Sequence, residues 1–221
     1  MSEAKNVVSV SPLEMGLHRS PTSRLRSALQ DIIDKTSSKD FDAIVLAYGL
    51  CGRGVVGLKA RSLPVVIPRA HDCIGIFFGN ENYLSMLKSQ PGTYFQSPGW
   101  LENMPFDGTM LDMPELPQKR EELVKRYGED NADYLLEQFA RFTRDYQRLA
   151  FISTPVDRAQ EWEHQAMELA RQQKWNFEKF FSNVDWLRRL LNGNWDERDF
   201  LTVRPGRSVG LCHDGRLIGE S

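Results

Sequence analysis

The segments AIVLA, at residues 43–47, and LPVVI, at residues 63–67, decide how this chain folds. Both are short, uninterrupted apolar runs rich in β-branched residues, which is typical of strands that a parallel sheet buries on both faces. An amphipathic helix is predicted at residues 23–35, and further strand candidates lie at 149–152 and 200–203. Because strand and helix alternate at both ends of the chain, we predict an α/β protein with a mostly parallel sheet and helices on both faces.

The middle of the chain breaks this alternation. Residues 90–117 carry five of the eleven prolines and show no clear period, and two helical patterns follow them. Loops of this length inside compact domains are uncommon and are often functional. We therefore predict one α/β domain spanning residues 1–221, in which residues 90–148 form an inserted long loop with helices.

The composition excludes several classes of protein. Among 221 residues, 41% are hydrophobic and 26% are charged, values typical of a soluble globular chain. No apolar run approaches the roughly 18 residues of a membrane helix. The net charge of −2 gives no electrostatic reason to expect nucleic acid as a partner. The same net charge gives no reason to expect an anionic membrane as a partner. Three cysteines are too few for a disulfide scaffold, so we expect a reducing, cytoplasmic location.

All three cysteines follow strand candidates. Cys51 lies in GLCGRG, Cys73 in HDC and Cys212 in GLCHDG, and two of them have a histidine nearby, His71 and His213. Ligands gather at the carboxyl ends of strands in open α/β sheets, so these loops are expected to converge. Thiolates and imidazoles suit zinc or iron. We predict that Cys51, Cys73 and Cys212 bind a metal, either zinc with an open fourth position or a 4Fe–4S cluster.

Other residues near the cysteines are assigned supporting roles. His71 and His213 are candidate further ligands or proton carriers, and Asp72 would orient a ligand, so these three form the predicted catalytic set. Arg53 and Arg69 lie within a few residues of a cysteine and are predicted to bind an anionic group. Residues 52–57 also match the GxGxxG pattern of dinucleotide-binding sites. In such sites a long helix follows the pattern and connects two parallel strands, and too few residues remain here before the next strand for that helix.

Four segments resemble one known family. They are LAYGLCGRGVVGLKA, LPVVIPRAHDCIGIFFG, PGTYFQSPGW and GLCHDG, and they resemble the family called domain of unknown function 1638. The similarity is expected from about residue 24 to the C-terminus. It implies no particular reaction. Family members occur beside corrinoid-dependent methyltransferases, which implies one-carbon metabolism and a corrinoid or methyltransferase partner, by association only.

Three functional hypotheses remain open at this point. The first is a cytoplasmic metalloenzyme of one-carbon or corrinoid-linked methyl metabolism, in which zinc or an Fe–S cluster acts on a small-molecule substrate, anionic if the arginines bind it. The second is a non-catalytic carrier of metal or cofactor that serves a methyltransferase. The third is a metal-free thiol redox protein in which Cys51 reacts beside Arg53.

Overall fold

The computed structural model describes residues 4–14, 17, 22–103, 120–155 and 159–221. The chain forms two compact units, one made of Met1–Ser85 with Asn183–Ser221 and the other of Met86–Ser182. The second unit is therefore longer than the insertion at 90–148 that the sequence indicated. The assignment of residues 1–221 to a single domain stays a prediction.

The first unit holds most of the predicted cysteine region. Its elements in chain order are α1 (Thr22–Lys35), β1 (Ile44–Val45), β2 (Val65–Pro68), α2 (Cys73–Phe78), the first part of α3 (Asn80–Ser89), and, after the second unit, α8 (Asp185–Leu191), β6 (Phe200–Val203), β7 (Val209–Leu211) and β8 (Ile218–Glu220). The apolar runs of the sequence thus form β1 and β2, as predicted, although β1 is shorter than its run.

The main sheet of the first unit has the order β1-β2-β6. β1 and β2 are parallel, with Ile44 opposite Val65, whereas β6 joins β2 antiparallel, with Thr202 opposite Val66. Because all four residues of β2 are buried, this strand must be covered on both faces. One face packs against α1 and the other against α2 and α8, so helices do cover both faces.

The helix α1 follows the amphipathic pattern of its sequence. Leu25, Leu29 and Ile33, which recur every four residues, are its buried side chains and pack into the core of the first unit. This spacing places them on one face of a helix with 3.6 residues per turn. The same core includes Val55 and Leu58 of the loop between β1 and β2, so that loop is packed against α1.

The second unit is built on a wholly parallel sheet. Its elements are β3 (Thr93–Gln96), α4 (Pro98–Asn103), α5 (Arg120–Tyr127), α6 (Glu129–Arg144), β4 (Arg148–Ser153), α7 (Ala159–Gln173) and β5 (Asn176–Phe181). The strands lie in the order β3-β4-β5, and α7 packs against them. Tyr94, Tyr146 and Trp175 contact one another in its core, with ring centroids 5.5–5.8 Å apart.

The α/β class is confirmed, with several local differences. The strands form three sheets rather than one, with the orders β1-β2-β6, β3-β4-β5 and β7-β8. The predicted long loop contains β3 and α4 in its first part, and residues 104–117 lie outside the described residues. Gly79, with φ of 89°, separates α2 from α3. Within the described part of the chain, no helix is long and apolar enough to cross a membrane.

Candidate functional site

The segments that follow β1 and β2 run side by side beyond the ends of the strands. The N–H of Leu50 donates to the carbonyl of Ala70 at 2.8 Å, and the N–H of Cys51 donates to the carbonyl of His71 at 2.9 Å. Gly49 makes this approach possible, because a Cβ atom there would lie 2.9 Å from the Cα atom of Asp72. The carboxyl ends of two parallel strands thus bring Cys51 to the segment that carries Cys73, as the sequence predicted.

The thiols of Cys51 and Cys73 lie close enough together for the charge of one to affect the pKa of the other. The backbone at Gly49 and Cys73 acts to lower the pKa of Cys51, and the backbone at Cys73 and Ile74 acts to lower that of Cys73, against larger opposing contributions. Both cysteines are free thiols. Backbone N–H groups directed at sulfur stabilise its anionic form, and such bonds surround the thiolates of many metal sites.

Burial nevertheless keeps both thiols protonated at neutral pH. It raises the pKa of Cys51 to about 11, with a further contribution from the charge of Asp72. Burial also raises the pKa of Cys73 to about 12, followed in size by the charges of Cys51 and Asp72. The Cys73 residue reaches the surface, so small molecules have access to it although the surrounding protein desolvates its sulfur. Among the described residues, no basic side chain contributes to the pKa of either thiol.

Cys51 begins a short turn of left-handed backbone. The φ angles of Cys51, Gly52 and Arg53 are 41°, 62° and 71°, and the N–H of Gly54 closes the turn on the carbonyl of Leu50 at 3.0 Å. This region favours glycine and costs other residues roughly 1–2 kcal/mol each. Strained backbone of this kind clusters at functional sites, where the surrounding structure holds it in place. The sequence analysis missed this turn; the GLCGRG glycines were its only signal.

Asp72 holds the start of α2. Its Oδ1 accepts the N–H of Ile74 at 3.0 Å and the N–H of Gly75 at 3.2 Å, and its Oδ2 accepts the hydroxyl of Tyr83 at 2.8 Å. Both carboxylate oxygens are therefore engaged, and they fix the backbone N–H groups that face Cys73. Asp72 is therefore the cap of α2, and its predicted role in orienting a ligand stays a prediction. The side chain of His71 is exposed, and its carbonyl accepts from Cys51.

Tyr48 is a further member of the site that the sequence analysis missed. Its side chain is half-buried, and burial, followed by the charges of Cys51 and Cys73, raises the pKa of its phenol. The phenol thus stays protonated beside the two sulfurs at neutral pH. Its position in YGLCG, three residues before Cys51, was the available signal.

Cys212 and His213 lie elsewhere in the first unit. They occupy the turn of the β7–β8 hairpin, where the N–H of Cys212 donates to the carbonyl of Leu217 at 3.0 Å. Cys212 therefore follows a strand of a separate antiparallel pair, not a strand of the β1–β2 pair. Across the described residues, no group of three or more His, Cys, Asp or Glu is arranged to hold a metal ion.

The two predicted anion-binding arginines differ in their surroundings. Arg69 donates from Nε to the carbonyl of Glu197 at 2.9 Å and from one terminal nitrogen to the carbonyls of Arg216 and Ile218. Burial and the charge of Arg216 lower the pKa of Arg69. This guanidinium therefore ties β2 to the C-terminal hairpin, and its bonds go to backbone carbonyls. Arg53 is exposed on the left-handed turn.

Fold and site together define an α/β protein with a paired-cysteine site beyond the ends of two parallel strands. Residues 12–191 match the family described as "Protein of unknown function (DUF1638)", and the chain belongs to that family. The match contains Cys51, His71, Asp72 and Cys73 but ends before Cys212, so it is shorter than the resemblance suggested. No curated protein and no solved structure matched the chain.

Proposed function

We propose that Cys51 and Cys73 bind a thiophilic metal ion, with zinc as the probe, and that the remaining coordination positions receive a small molecule. The observation that carries this proposal is the pair of free cysteines on two segments held side by side by the hydrogen bonds of Leu50 to Ala70 and of Cys51 to His71. Two protein thiolates leave positions open on a four-coordinate zinc ion, and open positions are typical of catalytic rather than structural sites.

The electrostatics of the pair support a cation at this place. Burial, the neighbouring thiol and Asp72 all disfavour the thiolates, whereas the backbone N–H donors favour them. A bound metal ion reverses the balance because it deprotonates the thiols that coordinate it. Relative to the sequence-based hypothesis, the ligand set is reduced to two cysteines. Two thiolates fall short of the four that an Fe–S cluster takes and of the three protein ligands usual at a catalytic zinc ion, so in this proposal water or the small molecule fills the remaining positions on zinc.

The test is zinc binding by anaerobically purified, reduced protein in competition with a chromophoric chelator. We expect one zinc ion per chain. We also expect Cys51→Ser and Cys73→Ser each to weaken zinc binding by more than about 100-fold, because a loss of up to about 100-fold is typical of residues that only hydrogen-bond to a metal ligand. Cys212→Ser is the matched control and should bind as the unaltered protein does. Equal zinc affinity in Cys51→Ser and Cys212→Ser would contradict the proposal.

The same proximity favours a second candidate, a dithiol that cycles with a disulfide. An added two-electron oxidant such as diamide would take two electrons and two protons from Cys51 and Cys73 and leave an S–S bond. The raised pKa of both thiols opposes rapid reaction, because the thiolate is the nucleophile. Rapid formation of this disulfide in metal-free protein, together with no zinc binding, would favour the redox function over the metal site.

The cellular compartment and the metabolic role are proposed on separate grounds. All three cysteines are free, which suits the proposed reducing cytoplasmic environment. An enzymatic role in one-carbon or corrinoid-linked methyl metabolism, and a carrier role beside a methyltransferase, follow from the family resemblance alone and stay predictions. Retention of zinc during dialysis against a chelator favours an enzyme, whereas rapid transfer of the zinc to the chelator favours a carrier.

A further inference from the structure

The second unit buries a glutamine whose amide oxygen has no hydrogen-bond donor. Gln96, the last residue of β3, is 1% exposed, and its Oε1 atom is buried and accepts from no group in the described part of the chain. A buried acceptor without a donor costs free energy, so folded proteins keep few of them. Thr93, at the other end of the strand, shows the common arrangement. It is 4% exposed, and its hydroxyl donates to the carbonyl of Gln90 at 2.8 Å.

Gln96 lies on the face of the sheet that carries the aromatic core of this unit. Residues two apart on a strand share a face, so Gln96 lies on the same face as Tyr94. In the parallel register it stands opposite Phe151 of β4. Tyr94 and Phe151 both belong to the core cluster that α7 covers. The amide therefore lies beside aromatic side chains.

Gln96 also lies at the carboxyl end of a wholly parallel sheet. The carboxyl ends of β3, β4 and β5 share one edge, and ligands of open α/β sheets bind outside that edge. α4 begins directly after β3, and α7 follows β4 and leads back to the start of β5. Leu101 of α4 and Trp162 in the first turn of α7 pack against the same core cluster. Trp162 is only partly buried, so it borders both that cluster and the solvent.

We propose that Gln96 binds a flat, neutral heterocycle that carries an N–H donor next to a carbonyl acceptor, as a lactam does. The N–H of the ligand donates to Oε1 of Gln96, and the NH₂ group of the same amide donates to the ligand carbonyl. A glutamine amide pairs with the edge of adenine in this two-bonded way. The neighbouring aromatic side chains suit a flat ring, because they contact its face or its edge. The site lies in the second unit, so it is independent of the metal site proposed in the first.

The first experiment compares two small probes that differ by one hydrogen-bond donor. 2-Pyridone is a flat lactam, and N-methyl-2-pyridone keeps the ring and the carbonyl but has no N–H. The affinity of each probe for the full chain is measured by ligand-observed NMR titration. We expect 2-pyridone to bind about ten-fold more tightly, the effect of one hydrogen bond to a buried acceptor. Equal affinities, or no binding of either probe, would overturn the proposal without the need for any variant.

Two matched variants locate the binding at Gln96. Methionine keeps the unbranched chain of glutamine without the amide, so Gln96→Met should bind 2-pyridone about ten-fold more weakly and no longer distinguish the two probes. Thr93→Val alters the other buried polar side chain of β3 and should bind 2-pyridone as the unaltered protein does. An unchanged affinity in Gln96→Met, or an equal loss in Thr93→Val, places the probe elsewhere and counts against the proposal.

Thermal denaturation of the ligand-free protein separates a binding role from a structural one. Gln96→Met removes an acceptor that has no donor, so its melting temperature should stay unchanged or rise by about 2–4 °C. Thr93→Val should lower the melting temperature, because the carbonyl of Gln90 loses the hydroxyl that donates to it. If Gln96→Met lowers the melting temperature as much as Thr93→Val, the amide serves the fold through a buried water molecule, and the proposal fails.

Discussion

Replacement of Gly49 by alanine tests the close approach on which the cysteine pair depends. The added methyl group would lie 2.9 Å from the Cα and N atoms of Asp72 and 3.0 Å from the carbonyl oxygen of Ala70. These neighbours are backbone atoms, so relief requires the two segments to separate by roughly half an ångström to reach ordinary contact. The same movement would stretch the hydrogen bonds of Leu50 and Cys51, which measure 2.8 Å and 2.9 Å.

We expect Gly49→Ala to lower the free energy of unfolding by about 1–3 kcal/mol, the usual cost of an extra methyl group in a packed interior. Urea denaturation followed by circular dichroism measures this as a lower midpoint at an unchanged slope. Zinc affinity should fall in parallel, because the methyl group moves Cys51 away from Cys73.

Gly99→Ala is the matched control for this experiment. It makes the same chemical change in α4, where a Cβ atom would meet nothing within 4 Å. We expect its stability to equal or exceed that of the unaltered protein by up to about 1 kcal/mol, because alanine is the better helix former. If Gly49→Ala is as stable as Gly99→Ala and binds zinc equally well, the contact between the two strand ends does not position the site.

Three further substitutions test separate contacts. Arg53→Gly should leave the free energy of unfolding unchanged or raise it by up to about 1 kcal/mol in thermal denaturation. Glycine adopts the left-handed backbone without the cost that arginine has there, and this gain outweighs the larger conformational entropy that glycine loses on folding. A clear loss of stability would contradict strain at this turn. Tyr83→Phe should cost about 1–2 kcal/mol in urea denaturation and weaken zinc binding, since Asp72 loses a hydrogen bond at 2.8 Å. The hydrogen bonds from Arg204 lower the pKa of Glu220 to about 2, below the pKa of this side chain in the unfolded chain. The ionised carboxylate therefore stabilises the folded state at pH values above the unfolded pKa, and this stabilisation is lost as the pH falls toward 2. Glu220→Gln should therefore show a smaller loss of stability between pH 5 and pH 2, and an unaltered acid profile would exclude this contribution.

Part of the site followed from local sequence. The apolar runs at 43–47 and 63–67 became the neighbouring parallel strands β1 and β2, and the residues just after them, Cys51 and Cys73, met as expected. This inference succeeded because the carboxyl ends of adjacent parallel strands lie at one edge of a sheet. The position of Asp72 before an apolar helix likewise suited a helix cap, although we assigned it to the chemistry of the site.

The placement of Cys212 shows where local reasoning ends. Its setting in GLCHDG resembles that of Cys51, yet β7 pairs with β8 in an antiparallel hairpin and Arg69 ties that hairpin to β2. Strand partners are chosen by contacts between distant residues, and a short apolar run is compatible with several of them. Thr93–Gln96, which lies in the predicted long loop, likewise becomes a strand through its pairing with β4.

The sequence by itself determined the α/β class, the amphipathic helix α1 and the two strand ends that carry Cys51 and Cys73, because these depend on periodicity and on residues close together in the chain. Only the tertiary structure decided that Cys212 lies on a separate hairpin and that burial raises the pKa of Cys51 and Cys73. Pairing, burial and charge compensation are properties of groups brought together from distant parts of the chain. They exist only once the backbone has folded.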